Sequence, residues 1–280
     1  MPELPEVETV ARGLAMRMVG KRFAKVEQRR PDLRFPLPEN FPARLTGRRI
    51  LAVRRRAKYL LIDLDDGQVI LGHLGMSGRM LVSDQRPDEL ETHDHLVFTL
   101  DDGACVRFND ARRFGMMDLL PLAELDQHKL LRDLGPEPLG NEFSGPVLAA
   151  ALRGKKTPIK SAILDQKLVV GVGNIYASEA LFRAGLSPKR IAATVQGDRA
   201  ERLAGAIKLV LTEAIAAGGS SLRDYVQTDG ELGYFQHQWK VYDREGQQCS
   251  GCDCDFAKTG GIRRLAQGGR STFYCGKRQR

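Results

Sequence analysis

The sequence predicts a multi-domain α+β protein in three parts. These are an N-terminal antiparallel β-sandwich or barrel with a flanking helix, a helical middle and a short cysteine-bearing hairpin. Three observations predict this. Apolar residues alternate in short β-prone runs between residues 21 and 118, then recur at a helical period from Leu122 onward. LIDLDDGQVIL and VFTLDDGACVRF each set Leu-Asp-Asp-Gly between apolar runs, a hairpin signal. Four of the five cysteines fall in the last 32 residues.

The elements follow in order. Residues 5–19 read as a helix, because Val7, Val10, Leu14 and Met18 recur at spacings of three and four before Gly20. Pro5 suits its first turn, and Glu6 and Glu8 suit its positive end. Residues 21–29 and 48–53 add strands to the two hairpins. After Leu122, LAELDQHKLLRDL, SGPVLAAALRG and DRAERLAGAIKLVLTEAIAAGG fit the helical period, and two further helical stretches flank Gly171-Val172-Gly173-Asn174. Residues 218–237 are polar and rich in Gly and Ser, long enough for a closing loop. No internal repeat is present.

Composition narrows the partners. The chain has 280 residues, room for two domains and an appendage, and its 42% hydrophobic content supplies cores for them. No apolar run approaches the roughly 18–20 residues of a membrane span. The start is acidic and carries no basic-then-apolar leader, so the expected location is the cytoplasm or nucleoid. Net charge is +8, with pI near 9.4. Residues 48–58 carry Arg48, Arg49, Arg54, Arg55, Arg56 and Lys58 with no acid, and residues 256–280 hold seven Lys or Arg with none. Two unbalanced clusters favour a nucleic acid.

Each motif has a plain reading beside its functional one. GVGN lacks the third glycine of a dinucleotide fingerprint and the Gly-Lys-Ser/Thr of a phosphate loop. It is either a simple helix cap or a helix start whose N–H groups bind a phosphate. Cys105 reads as buried filler. Cys249, Cys252, Cys254 and Cys275 are either metal-free packing or four thiolates for one tetrahedral zinc, which would help a module of about 35 residues to fold. Arg112, Arg113 and Phe114 are either a strand end with a core aromatic or a wedge for a base stack, with Met76 a second apolar wedge. No His-x-Glu accompanies a Pro-Cys-x-x-Cys, which argues against a zinc deaminase.

Taken in order, PELPEVET, RRRAKYLL, GHLGMSG, HDH, ARRFG, VVGVGNIYASEALF and GGRSTFYC resemble the bacterial formamidopyrimidine-DNA glycosylase family over nearly the whole chain. That resemblance implies a β-sandwich over residues 1–130 and a helix–two-turns–helix domain with a base-capping loop over 131–240. It also implies a zinc finger over 241–280. It implies a bifunctional glycosylase and abasic-site lyase that excises oxidised purines from duplex DNA, through an N-terminal proline Schiff base and β,δ-elimination. Pro2 is the nucleophile once Met1 is removed. An α-amine has a pKa near 8, so about a tenth of it is free at neutral pH, far more than for lysine near 10.4. Its secondary amine gives an iminium, the electron sink for elimination. Glu3 is the general acid.

By the same resemblance Lys58 is a further acid/base group and Arg270 assists the second elimination, although a guanidinium is a poor proton donor and suits a phosphate clamp. Lys160 and Asn174 hold phosphates, and His93, Arg112 and Lys155 contact DNA. Met76, Arg112 and Phe114 fill the space the flipped nucleotide leaves. One structural zinc is expected on Cys249, Cys252, Cys254 and Cys275. The family's usual closing Cys-x-x-Cys-Gln departs here, with Arg278 at the last cysteine position. The expected partner is lesion-containing double-stranded DNA, bound by a monomer. Two alternatives stand beside this reading: an endonuclease VIII-like enzyme for oxidised pyrimidines, and a DNA-binding protein without catalysis. The opening Pro-Glu-Leu-Pro, in place of Pro-Glu-Gly-Pro, weighs against the first.

Overall fold

The computed structural model describes residues 1–221, 226–253 and 255–280. They divide into two compact units, Met1–Arg132 with Ile215–Gln236, and Asp133–Ala214 with His237–Arg280. The chain therefore returns to the first unit after its helical stretch. It crosses the sequence-derived boundaries near 130 and 240 in a way periodicity does not reveal. Two hydrogen bonds tie the returning segment down: Val82 N–H donates to the Thr228 carbonyl at 2.7 Å, and Ser220 N–H donates to the side-chain Oε1 of Glu6 at 2.8 Å. Gly13 permits this approach, because any side chain there would strike Thr228.

The first unit opens with α1 (Leu4–Met18), which has a proline in its first turn as expected. Eight strands follow: β1 (Phe23–Gln28), then after α2 (Phe41–Leu45) β2 (Ile50–Arg56), β3 (Tyr59–Leu64), β4 (Gln68–His73), β5 (Arg79–Ser83), β6 (Asp94–Leu100), β7 (Cys105–Asn109) and β8 (Met116–Pro121). They form two four-stranded antiparallel sheets, ordered β1-β6-β7-β5 and β2-β3-β4-β8. Both Asp-Gly signals are hairpins. β3 pairs β4 and β6 pairs β7, with Gly67 and Gly103 at positive φ, the conformation these turns need and glycine supplies without strain. Val7, Val10, Leu14 and Met18 of α1 share one core with Phe23, Phe98 and Phe108 of one sheet and Leu60, Ile62 and Ile70 of the other. Burying these side chains against each other is the main stabilising term.

The two sheets exchange chain at one end. The 74–78 segment leaves β4 for β5, and the 110–115 segment leaves β7 for β8. The register His73↔Met116 in one sheet and Arg79↔Asn109 in the other sets these crossings side by side.

The second unit holds α3 (Gly145–Leu152), α4 (Ile159–Ile163), α5 (Asn174–Ala184), most of α6 (Asp198–Ala216), α7 (Phe256–Thr259) and the hairpin of β9 (Arg263–Gln267) and β10 (Arg270–Tyr274). Gln267 pairs with Arg270 across Gly268-Gly269, both at positive φ, which is the two-residue turn that matches strand twist. Phe182 of α5 packs with Val241, Ile262, Phe273, Cys249 and Cys275.

One helical expectation fails. Residues 122–134 form a short 3-10 stretch, Leu122–Gln127, followed by separate turns in which the His128 carbonyl accepts from both Leu131 and Arg132. Leu125 and Leu131 are still buried. A helical period buries the same leucines from consecutive turns, and so short a segment ahead of Gly135-Pro136 gains little from continuous helix. Among the described residues no helix is long and apolar enough to cross a membrane.

Candidate active site and nucleic-acid interface

At the start of α1, Pro2 and Glu3 are both buried. Glu6, one turn on, reaches back so that the Glu3 N–H donates to Oε2 at 2.8 Å, while its other oxygen takes the Ser220 N–H. One carboxylate therefore fixes both the first residues and the returning segment. In the sequence Glu6 was visible only as a helix-dipole residue.

Lys58 sits at the two-residue tip between β2 and β3, where Ala57 takes a left-handed backbone at φ 54°. Arg55 holds this tip. Its Nη1 donates to the Ala57 carbonyl and its Nε to Glu8 Oε2, each at 2.9 Å, which links the turn to α1. Burial would raise the Glu8 pKa, but the guanidinium groups of Arg55 and Arg12 outweigh it and hold the carboxyl below its usual range. Lys58 is itself buried.

His73, at the end of β4, reports what surrounds the tip. Its pKa falls to about 4, chiefly through burial, then through the charges of Lys58, Arg34 and the amino terminus. Lys58 and the amino terminus thus act on the same ring. Gly75 N–H donates to His73 Nδ1 at 2.9 Å, so the neutral ring carries its proton on Nε2.

The sheet crossings carry the three candidate wedges. Met76 is 40% and Phe114 44% exposed, and the Arg112 guanidinium stands 4.8 Å from the Phe114 ring centre. Exposed apolar side chains on loops pinned by backbone contacts suit insertion into a base stack. His93 is exposed beside them, its carbonyl accepting from Asp110 N–H at 3.0 Å.

In the second unit GVGN enters α5 as expected, with Gly173 extended at its cap. Asn174 does not cap. Its Nδ2 donates to the Ser271 carbonyl at 2.9 Å and to Tyr242 Oη at 3.3 Å. Lys160 is 1% exposed, and its ammonium donates to Asn174 Oδ1 (2.6 Å), Thr272 Oγ1 (2.7 Å) and the Ser271 carbonyl (3.2 Å). An ammonium has three hydrogens, one for each of these acceptors. In this geometry Lys160 bridges Asn174 to β10. No motif points to Tyr242 or Thr272, since their partners here are about 70 to 110 residues away in the chain. Arg270 is exposed at the hairpin tip and Lys155 half-buried in the turn after α3.

The sulfur atoms of Cys249, Cys252 and Cys275 lie within 4.8 Å of one another, with Cys252 and Cys275 3.6 Å apart. Thiolates at about 2.3 Å on a tetrahedral zinc stand about 3.8 Å apart, so the trio fits a soft metal. Burial opposes ionisation of Cys275, but the N–H groups of Arg278 and Lys277 and the neighbouring thiols overcome it. Cys254, the fourth expected ligand, lies outside the described residues. Arg278 turns to other partners. Its Nη1 donates to the Gly251 carbonyl at 2.6 Å and its Nε to the Phe182 carbonyl at 3.3 Å, and its guanidinium covers the Phe182 ring at 4.9 Å.

The buried Pro2-Glu3 pair lies in one unit with Lys58, Met76, Arg112 and Phe114, and comparison with known proteins assigns the chain to a family of DNA-repair glycosylases. The formamidopyrimidine-DNA glycosylase N-terminal domain model matches residues 1–117, and that family's H2TH domain model matches residues 134–226. The chain belongs to the formamidopyrimidine-DNA glycosylase family. It is 61% identical to the formamidopyrimidine-DNA glycosylase of Rhodospirillum centenum and 58% to that of Rhodospirillum rubrum, over the whole of each chain. Among solved structures, the MutM (Fpg) protein of Thermus thermophilus is similar at TM-score 0.86 and 40% identity, covering 99% of this chain and 98% of its own. A Lactococcus lactis Fpg mutant in complex with Fapy-dG-containing DNA is similar at TM-score 0.89 and 32% identity over all of both chains.

Proposed function

We propose that this chain excises oxidised purines, 8-oxoguanine and formamidopyrimidines, from double-stranded DNA and then cleaves the strand at the abasic sugar. One observation carries the reading: the buried Pro2-Glu3 pair at the start of α1, in the unit where Lys58 and the amino terminus both act on His73. Family membership supports it, and it supplies the substrate class that the geometry alone leaves open.

With Met1 removed, the Pro2 nitrogen attacks C1′ of the damaged nucleoside, and the base departs with its bonding electrons. The Pro2 nitrogen gives up its own proton to the leaving base, Glu3 protonates the ring oxygen O4′, and the C1′–O4′ bond opens as the nitrogen lone pair forms the C=N bond. The nitrogen and C1′ are then joined as an iminium, whose charge draws the electrons released when a proton leaves C2′ and the 3′-phosphate is expelled. A second elimination expels the 5′-phosphate. Lys58 serves as an acid/base group beside the sugar, and Arg270 clamps a phosphate. Asn174, held by Lys160, presents the start of α5 to the backbone, and His93, Arg112 and Lys155 add contacts. Met76, Arg112 and Phe114 fill the space the flipped nucleotide leaves, and the 218–237 loop, whose residues 222–225 lie outside the described ones, covers the base. Cys249, Cys252 and Cys275, with Cys254, would hold one zinc that braces the hairpin. The protein acts as a monomer.

Borohydride reduction during turnover on 8-oxoguanine duplex tests the reading. The expected product is a covalent protein–DNA adduct whose N-terminal peptide carries the sugar on Pro2. An adduct found only on an internal lysine overturns it.

A further inference from the structure

Asp110 is fully buried (0% exposed), yet it stands in the exposed segment between β7 and β8, beside the wedges. Each of its polar atoms is engaged by a different piece of that corner. Oδ1 accepts from Ser77 Oγ at 2.6 Å, and Oδ2 accepts from Gly115 N–H at 2.8 Å. Its carbonyl accepts from Arg113 N–H at 3.2 Å and from His95 Nε2 at 2.8 Å. Its own N–H donates to the His93 carbonyl. Ser77 relays the hold onward, its Oγ accepting the Arg112 N–H at 3.1 Å.

The topology gives these bonds their meaning. Ser77 follows Met76 on the crossing from β4 to β5, whereas Arg112 and Phe114 lie on the crossing from β7 to β8. The carboxylate therefore joins the two loops that carry the wedges, one oxygen to each. Gly75 and Gly115 let the backbones touch, since a side chain at Gly75 would strike the Phe114 carbonyl. Arg113 is held between the wedges at φ 57°, a left-handed backbone that a non-glycine residue keeps only when its neighbours impose it. Met76 is 40% and Phe114 44% exposed, so packing covers these side chains only in part, and the bonds through Asp110 add a polar link between their loops.

We infer that Asp110, relayed by Ser77, is the positioning residue that sets the spacing of Met76 against Arg112 and Phe114 before DNA is bound. The inference rests on the reading of those three side chains as the wedge. A wedge pre-set in this way enters the stack without first ordering two loops, so its loss slows insertion and not the chemistry on the sugar.

The experiment compares Asp110→Asn and Ser77→Ala with the unaltered protein by stopped-flow fluorescence of 2-aminopurine placed beside the lesion in duplex DNA. The ratio of excision from duplex to cleavage of a single-stranded abasic oligonucleotide, which has no partner strand to wedge against, is measured alongside. The expected result is an insertion phase slowed about 10- to 100-fold and a fall of similar size in that ratio, with Ser77→Ala showing the smaller effect. Ser77→Ala carries the test alone if Asp110→Asn fails to fold in a thermal melt. The triple variant Met76→Ala, Arg112→Ala, Phe114→Ala separates the two ideas. If it leaves the fluorescence phase unchanged, the wedge reading is wrong. If it abolishes the phase while Asp110→Asn and Ser77→Ala match the unaltered protein, the positioning role of Asp110 is overturned.

Discussion

Lys160 and His73 each carry a function that follows from burial. Lys160 is a buried cation among Asn174, Ser271 and Thr272, and its bonds to them replace the water it gave up on folding. Lys160→Met keeps the length and removes the donors, leaving the carboxamide oxygen of Asn174 without this partner. We expect a loss of about 1–3 kcal/mol in urea unfolding, with weakened DNA binding as Asn174 turns. His73 predicts a pH dependence. Its folded pKa of about 4 lies below the ordinary 6.5, so the unfolded chain takes up a proton that the folded protein refuses. Its contribution is complete above pH 6.5, declines as pH falls from 6.5 toward 4, and declines no further below that. Urea midpoints measured from pH 7 to pH 5.5, where ordinary carboxylates stay almost fully ionised, should fall for the unaltered protein and stay flatter for His73→Gln.

The C-terminal hairpin is the element with the least core of its own, a two-stranded ribbon against α5. Such a ribbon is marginal unless other contacts hold it. Arg278 is one of them, joining the turn after Cys249 to Phe182 through Gly251. Gly251 has to be glycine, because a side chain there would meet both the Phe182 ring and Arg278. Arg278→Met should cost about 1–2 kcal/mol of local stability, read as faster hydrogen exchange confined to residues 249–280. Unchanged exchange would show that the thiol cluster alone secures the element.

Across the whole molecule the +8 charge is placed where a polyanion can use it, with Arg263, Arg264 and Arg270 all exposed on the β9–β10 hairpin. DNA affinity should fall steeply with salt, and Arg270→Ala should reduce the slope of log affinity against log salt by about one, as expected when one phosphate is no longer neutralised. The sequence by itself determined the features that depend on neighbours in the chain. Asp-Gly fixed two hairpins because only a few backbone turns join adjacent strands, and the 3.6 period fixed α1. The ordered motifs fixed the family and pointed to Pro2 and Glu3 as candidates. It misread residues 122–134, because a run of leucines is buried equally well by a helix or by successive turns. Only the tertiary structure decided what Lys160 holds, that Glu6 ties the first residues to Ser220, that residues 215–236 return to the first unit, and that Asp110 joins two loops. Most of these are hydrogen bonds between residues tens to hundreds of positions apart. No local period or spacing encodes such a pairing, because its partners meet only once both sheets and the helices have packed.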